Sequence, residues 1–80
     1  MASREMQLSG EEARAAIARL LIERVRADKY PSATHMSIIE GTIPRALVRD
    51  YLNMLLEKVL MDEHPSIPML RRIQRIAMDV

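Results

Sequence analysis

The chain predicts an all-α protein, a small four-helix unit, and three observations carry that prediction. Its 80 residues include two Tyr but no Phe and no Trp, so a core has to be assembled from Leu, Ile, Val, Met and Ala, and β-branched runs suited to a sheet are few. The two glycines and four prolines all fall where helices are expected to begin or end. Between them, apolar residues recur at spacings of three and four, the period of a helix with one buried side.

The first helix is placed at about residues 10–28. Ser9 followed three residues later by Glu12 forms a capping box, and Glu11 and Glu12 suit the positive helix end. Ala13, Ala16, Ile17, Leu20, Leu21 and Val25 then line up as its inward stripe. Pro31 ends it, because the residue before a proline is pushed out of helical geometry. Ser32 caps a second, short helix at about 33–41, with Met36 and Ile38 or Ile39 inward and Gly41 as its left-handed terminator. Thr42 is expected to cap the third helix, about 43–63, with Pro44 in its first turn. Its apolar residues, Leu47 through Met61, cover well over half the circumference, so burial on more than one side is expected. Pro65 and Ser66 repeat the stop and the cap, and a fourth helix follows at about 67–78 with Met69, Leu70, Ile73, Ile76 and Ala77 inward.

The repeated Pro-Ser punctuation belongs to a longer echo. A shift of 34 residues aligns LIERVRADKYPS (21–32) with LLEKVLMDEHPS (55–66), with six of twelve positions identical, where average composition gives about one. The period matches that of tetratricopeptide repeats, but here the long helix precedes the short one and only two units are present, fewer than the three or so such an array needs. The pattern predicts an internal duplication, about 13–40 and 47–74, within a single helical domain spanning 9–80; residues 1–8 are weakly patterned and are expected to be flexible. Most differences between the copies run in one direction: Arg26 and Ala27 correspond to Leu60 and Met61, and Ala13 to Leu47, while Ala16 against Asp50 runs the other way. The second copy is the more apolar.

Composition removes several classes of function. With no cysteine there are no disulfides, thiolate zinc sites or thiol catalysis. A net charge of +1 gives no global field to draw in nucleic acid or an anionic membrane. Apolar runs are far too short to span a bilayer, and MASREMQLSGEE has no signal-peptide core, so a cytoplasmic protein is expected. His35 and His64 lack the carboxylates and spacing of a metal site. Ser9, Ser32 and Ser66 are explained as caps, without a base and an oriented acid to make nucleophiles of them. No phosphate-binding glycine loop is present. The sequence therefore predicts no enzyme, no cofactor and no metal.

What remains is binding. A core of this length supplies roughly 3–5 kcal/mol, and without staples oligomerisation is the expected support. The leading expectation is a non-catalytic protein-interaction module, whether adaptor, assembly subunit or inhibitor, that pairs first with itself as a homodimer. Its interface is expected at Met54, Leu56, Leu60 and Met61. Seven methionines without Phe or Trp are expected first as gap-fillers of the core and, as the alternative, as an adaptable contact face. Arg24 and Lys58 project into the apolar arcs of their helices and are expected to pair one turn on with Asp28 and Asp62. Arg71, Arg72 and Arg75 form the densest basic cluster and are the candidate contacts for an anionic partner. The alternative is a small dimeric DNA-binding regulator, using those arginines or a helix-turn-helix formed from the second and third helices.

Overall fold

The computed structural model describes residues 8–79. It is all-helical, with α1 Gly10–Ala27, α2 Ala33–Thr42, α3 Val48–Leu60 and α4 Ile67–Met78, and a 3-10 turn, Arg45–Leu47, ahead of α3. No strand occurs among the described residues. Apart from Leu8, which is exposed, the segment expected to be flexible lies outside the described residues.

The chain divides into two units, Met1–Pro44 and Arg45–Val80, each a helical hairpin: α1 packs on α2 in the first, α3 on α4 in the second. The boundary falls between the two stretches that the 34-residue shift aligns.

In the first hairpin, α1 opens on the expected capping box. The Ser9 hydroxyl accepts from the Glu12 N–H at 3.0 Å, and the Glu12 carboxylate accepts from the Ser9 N–H at 2.9 Å. Ala18, Ile22 and Val25 are the buried residues of α1, and Met36 and Ile39 those of α2. The buried stripe of α1 is therefore not the expected one. Ile17 and Leu20 face solvent, and of the expected set only Val25 is fully buried. Apolar residues wrap most of α1, so spacing alone is compatible with more than one inward side.

Two expectations about the α2–α3 connection are corrected. Gly41 does not terminate α2 in a left-handed conformation: it lies inside the helix, and no glycine has positive φ among the described residues. Thr42 does not cap the third helix. It is the last residue of α2, where its hydroxyl donates back to the Ile38 carbonyl at 2.9 Å. Pro44 is the stop. It holds Ile43 extended (φ −64°, ψ 129°), and Ile43 closes α2 by donating its N–H to the Ile39 carbonyl at 2.7 Å.

In the second hairpin α3 is 13 residues long, not the 21 expected, and starts from the 3-10 turn at Leu47 without a side-chain cap. It stops early at its other end because the Asp62 carboxylate captures the His64 N–H at 3.0 Å, an Asx-type turn that competes with further helix. Tyr51, Met54 and Leu55 of α3 and Ile73 of α4 are buried. No helix is long and apolar enough to cross a membrane.

Candidate interaction surface

The two Pro-Ser joints share their serine cap, although the helices before them end differently, α1 at an extended Asp28 (φ −86°, ψ 131°) and α3 at a helical Met61 (φ −90°, ψ −5°). After Pro31, Ser32 is extended (φ −66°, ψ 130°) and its hydroxyl accepts from the His35 N–H at 3.2 Å. After Pro65, Ser66 is extended (φ −73°, ψ 148°) and accepts from the Met69 N–H, also at 3.2 Å. In both, the serine satisfies one of the orphan donors of the helix it begins. The short helices start at Ala33 and Ile67, 34 residues apart.

What the two joints carry on their surfaces differs. Around the first stand Arg26, Ala27, Lys29 and Ala33; at the corresponding positions of the second stand Leu60, Met61, Glu63 and Ile67. Leu60 is 83% exposed, Met61 87% and Ile67 63%. The turn does not require these apolar groups, since the first joint is built without them. Left in water, each forgoes most of the roughly 1.5–3 kcal/mol that burying such a side chain provides. Leu70 and Met78 on α4 are exposed as well.

Of the residues expected at the interface, Leu60 and Met61 are the most open, and Leu56 is 40% exposed on the same helix. Met54 is a correction. At 2% exposed it is part of the core of its unit, because its turn of α3 presents it on the buried side with Tyr51 and Leu55. Leu56 and Leu60, four residues apart, lie on the outward side, continued toward the start of α3 by the exposed Asn53 and Arg49. The outward side is thus apolar only toward the Pro-Ser joint. Ile67 was not among the expected interface residues. The signal was present in its correspondence to Ala33, the same kind of mismatch that singled out Leu60 and Met61.

The arginines of α4 do not form one cluster. Arg71 and Arg75 are exposed and, four residues apart, share a side, whereas Arg72 is half-buried about a quarter-turn away. Arg24 is largely exposed and meets Asp28 as expected, Nε to Oδ2 at 3.4 Å. Asp62 instead accepts the His64 amide in the turn. A second surface pair joins Arg26 to Glu23 at 3.4 Å. Exposed pairs of this kind contribute about 1 kcal/mol or less. Among the described residues no three His, Cys, Asp or Glu side chains are grouped to hold a metal ion. The Nδ1 atom of His35 is buried without a hydrogen-bond partner.

Comparison with family models, with curated proteins and with solved structures found no match for the chain.

Proposed function

We propose that this chain is a non-catalytic, cytoplasmic protein-interaction module that works through the exposed apolar end of its second hairpin, and that the first partner of this surface is a second copy, giving a homodimer. In this reading the two hairpins descend from one duplicated unit. The observation that carries it is the contrast between two serine caps of like geometry, the first flanked by Arg26, Ala27 and Ala33 with Tyr30 exposed beside it, the second by Leu60, Met61 and Ile67, all three largely in water. Exposed apolar groups beyond what the local fold needs are the ordinary mark of a contact surface. The chain works without metal or cofactor.

The test returns the residues of the first joint to the second. The Leu60→Arg/Met61→Ala variant should keep the helical circular dichroism of the parent, since both positions are open. Sedimentation equilibrium should find a dimer for the parent and a monomer for the variant at the same concentration. A parent that stays monomeric at high micromolar concentration removes self-association. Mobility-shift assays across a salt series separate the nucleic-acid alternative, which requires binding that strengthens steeply as salt falls.

A further inference from the structure

We infer that two copies of this chain meet reciprocally, the closed end of the second hairpin of one packing on the outer stripe of α4 of the other, with Glu63 paired to Arg71 across each of the two equivalent contacts. The inference rests on the self-association reading and specifies its geometry.

The closed end consists of Leu60 and Met61, followed at once by Asp62 and Glu63, so it is apolar with an acidic edge. The outer stripe of α4 is its complement. At 100° per residue Leu70, Gln74, Ile67, Met78 and Arg71 fall in that order within about a 100° arc, all exposed, starting at Leu70 about 60° from the buried Ile73 and running away from it. It is an apolar strip with a basic edge. Glu63 and Arg71 are both exposed, and among the described residues neither is engaged by another side chain.

A twofold contact requires a surface that complements itself. One unit of this chain carries both halves, and a twofold axis brings each half to its complement twice. The first hairpin lacks the whole set: where the second has Leu60, Glu63, Ile67 and Arg71, it has Arg26, Lys29, Ala33 and Ser37. The two charges and the apolar groups beside them occur together in the second hairpin and are replaced together in the first, whose own exposed apolar residues, Leu20 and Tyr30, stand at other positions. The exposed apolar side chains of the two halves, Leu60, Met61, Ile67, Leu70 and Met78, are more than scattered single surface residues and make the kind of patch that marks a contact. The apolar groups supply the affinity, and the charge pair sets the register.

Charge reversal tests this arrangement. Glu63→Arg places like charges against Arg71 in both contacts of a homodimer, and Arg71→Glu does the same against Glu63. Each variant alone should dimerise about 100-fold more weakly than the parent, about tenfold per contact. An equimolar mixture of the two should recover nearly parental affinity, because both contacts of the mixed dimer are then of opposite sign. Sedimentation equilibrium, or fluorescence anisotropy with one variant labelled, reads this directly, with circular dichroism to confirm unchanged helicity. Recovery on mixing supports the geometry, since pairing within one chain cannot produce it. A dimeric parent whose charge-reversed variants associate normally, or fail to recover on mixing, overturns it while leaving self-association in place. A monomeric parent overturns both.

Discussion

The two hairpins share a joint and bury different sides of their long helices. In the 34-residue register, Ile17 and Leu20 correspond to Tyr51 and Met54: the first pair is exposed on α1, the second buried in α3. Ile22 and Leu56 correspond in the opposite sense, with Ile22 buried and Leu56 exposed. The inward side has turned about 100° around the helix. The short helices turn less, since Ile39 and Ile73 correspond and both are buried. A proline stop followed by a serine cap therefore determines where a helix ends and the next begins, but leaves the long helix free to rotate about its axis. The side chains decide that rotation. Tyr51 is the largest fully buried residue, and a hairpin that takes in a tyrosine there turns Leu56 and Leu60 outward. In the first hairpin, small Ala18 is fully buried.

The most forceful way to break this comparison is to truncate corresponding residues. Tyr51→Ala removes a fully buried ring and should cost about 3–5 kcal/mol, enough to unfold a domain with roughly that much stability. Ile17→Ala, at the corresponding but half-open position, should cost about 1 kcal/mol or less. Urea denaturation followed by circular dichroism measures both. Similar losses would mean that the two long helices bury the same side after all.

The serine caps sharpen the other half of the comparison, the claim that the joints are alike. Ser32→Ala and Ser66→Ala each remove one hydrogen bond of 3.2 Å to the first turn of a short helix, and each should cost about 1 kcal/mol. The loss at Ser66 is expected to be slightly the smaller. Pro68 holds the first turn of α4 in helical geometry and leaves one fewer amide to satisfy there. A large loss at one joint and none at the other would contradict their likeness.

Much of the architecture was readable from local chemistry. Ser9 with Glu12, Pro31 with Ser32 and Pro65 with Ser66 each use side-chain hydrogen bonds or steric exclusion within four residues, and they place the starts of α1, α2 and α4 where the structure has them. Thr42-Ile43-Pro44 was misread because its two signals admit opposite interpretations. A threonine before a proline reads as a cap and a first turn, whereas here the hydroxyl turns back to Ile38 and the proline is a stop. The candidate surface was readable in Leu60 and Met61, where corresponding residues differ in polarity. Met54 and Ile17 were not readable in this way. Both lie on helices whose apolar residues cover several sides, so choosing the inward one depends on packing volumes that are not local in sequence.

The long helices also start differently, and acid distinguishes the starts. The Ser9 backbone N–H and hydroxyl both hydrogen-bond with Glu12 and hold its carboxyl below its ordinary value of 4.5. A carboxyl whose pKa is lower in the folded chain contributes its stability above the unfolded value and loses it as pH falls through the folded one. Below pH 4.5, the protection of backbone amides, taken relative to their intrinsic exchange rate at each pH, should therefore fall first in the opening turn of α1. The start of α3 has no capping side chain and should not share this response. Equal acid sensitivity at both ends would contradict the assignment.

The smallest expected effect tests the corrected ending of α2. Gly41 is exposed and helical, and a Cβ added there meets nothing within 4 Å. Gly41→Ala then replaces the residue with the freest unfolded backbone by the best helix former at an unobstructed site. A central helical position gains about 1 kcal/mol from this exchange, and a position one residue from the helix end should gain about half of that. The midpoint of urea denaturation should rise accordingly. Had Gly41 been the left-handed terminator that its place in the sequence suggests, alanine would incur the steric penalty of positive φ, roughly 1 kcal/mol in the opposite direction. The sign of one small shift therefore decides whether α2 is ended by its glycine or by the proline that follows.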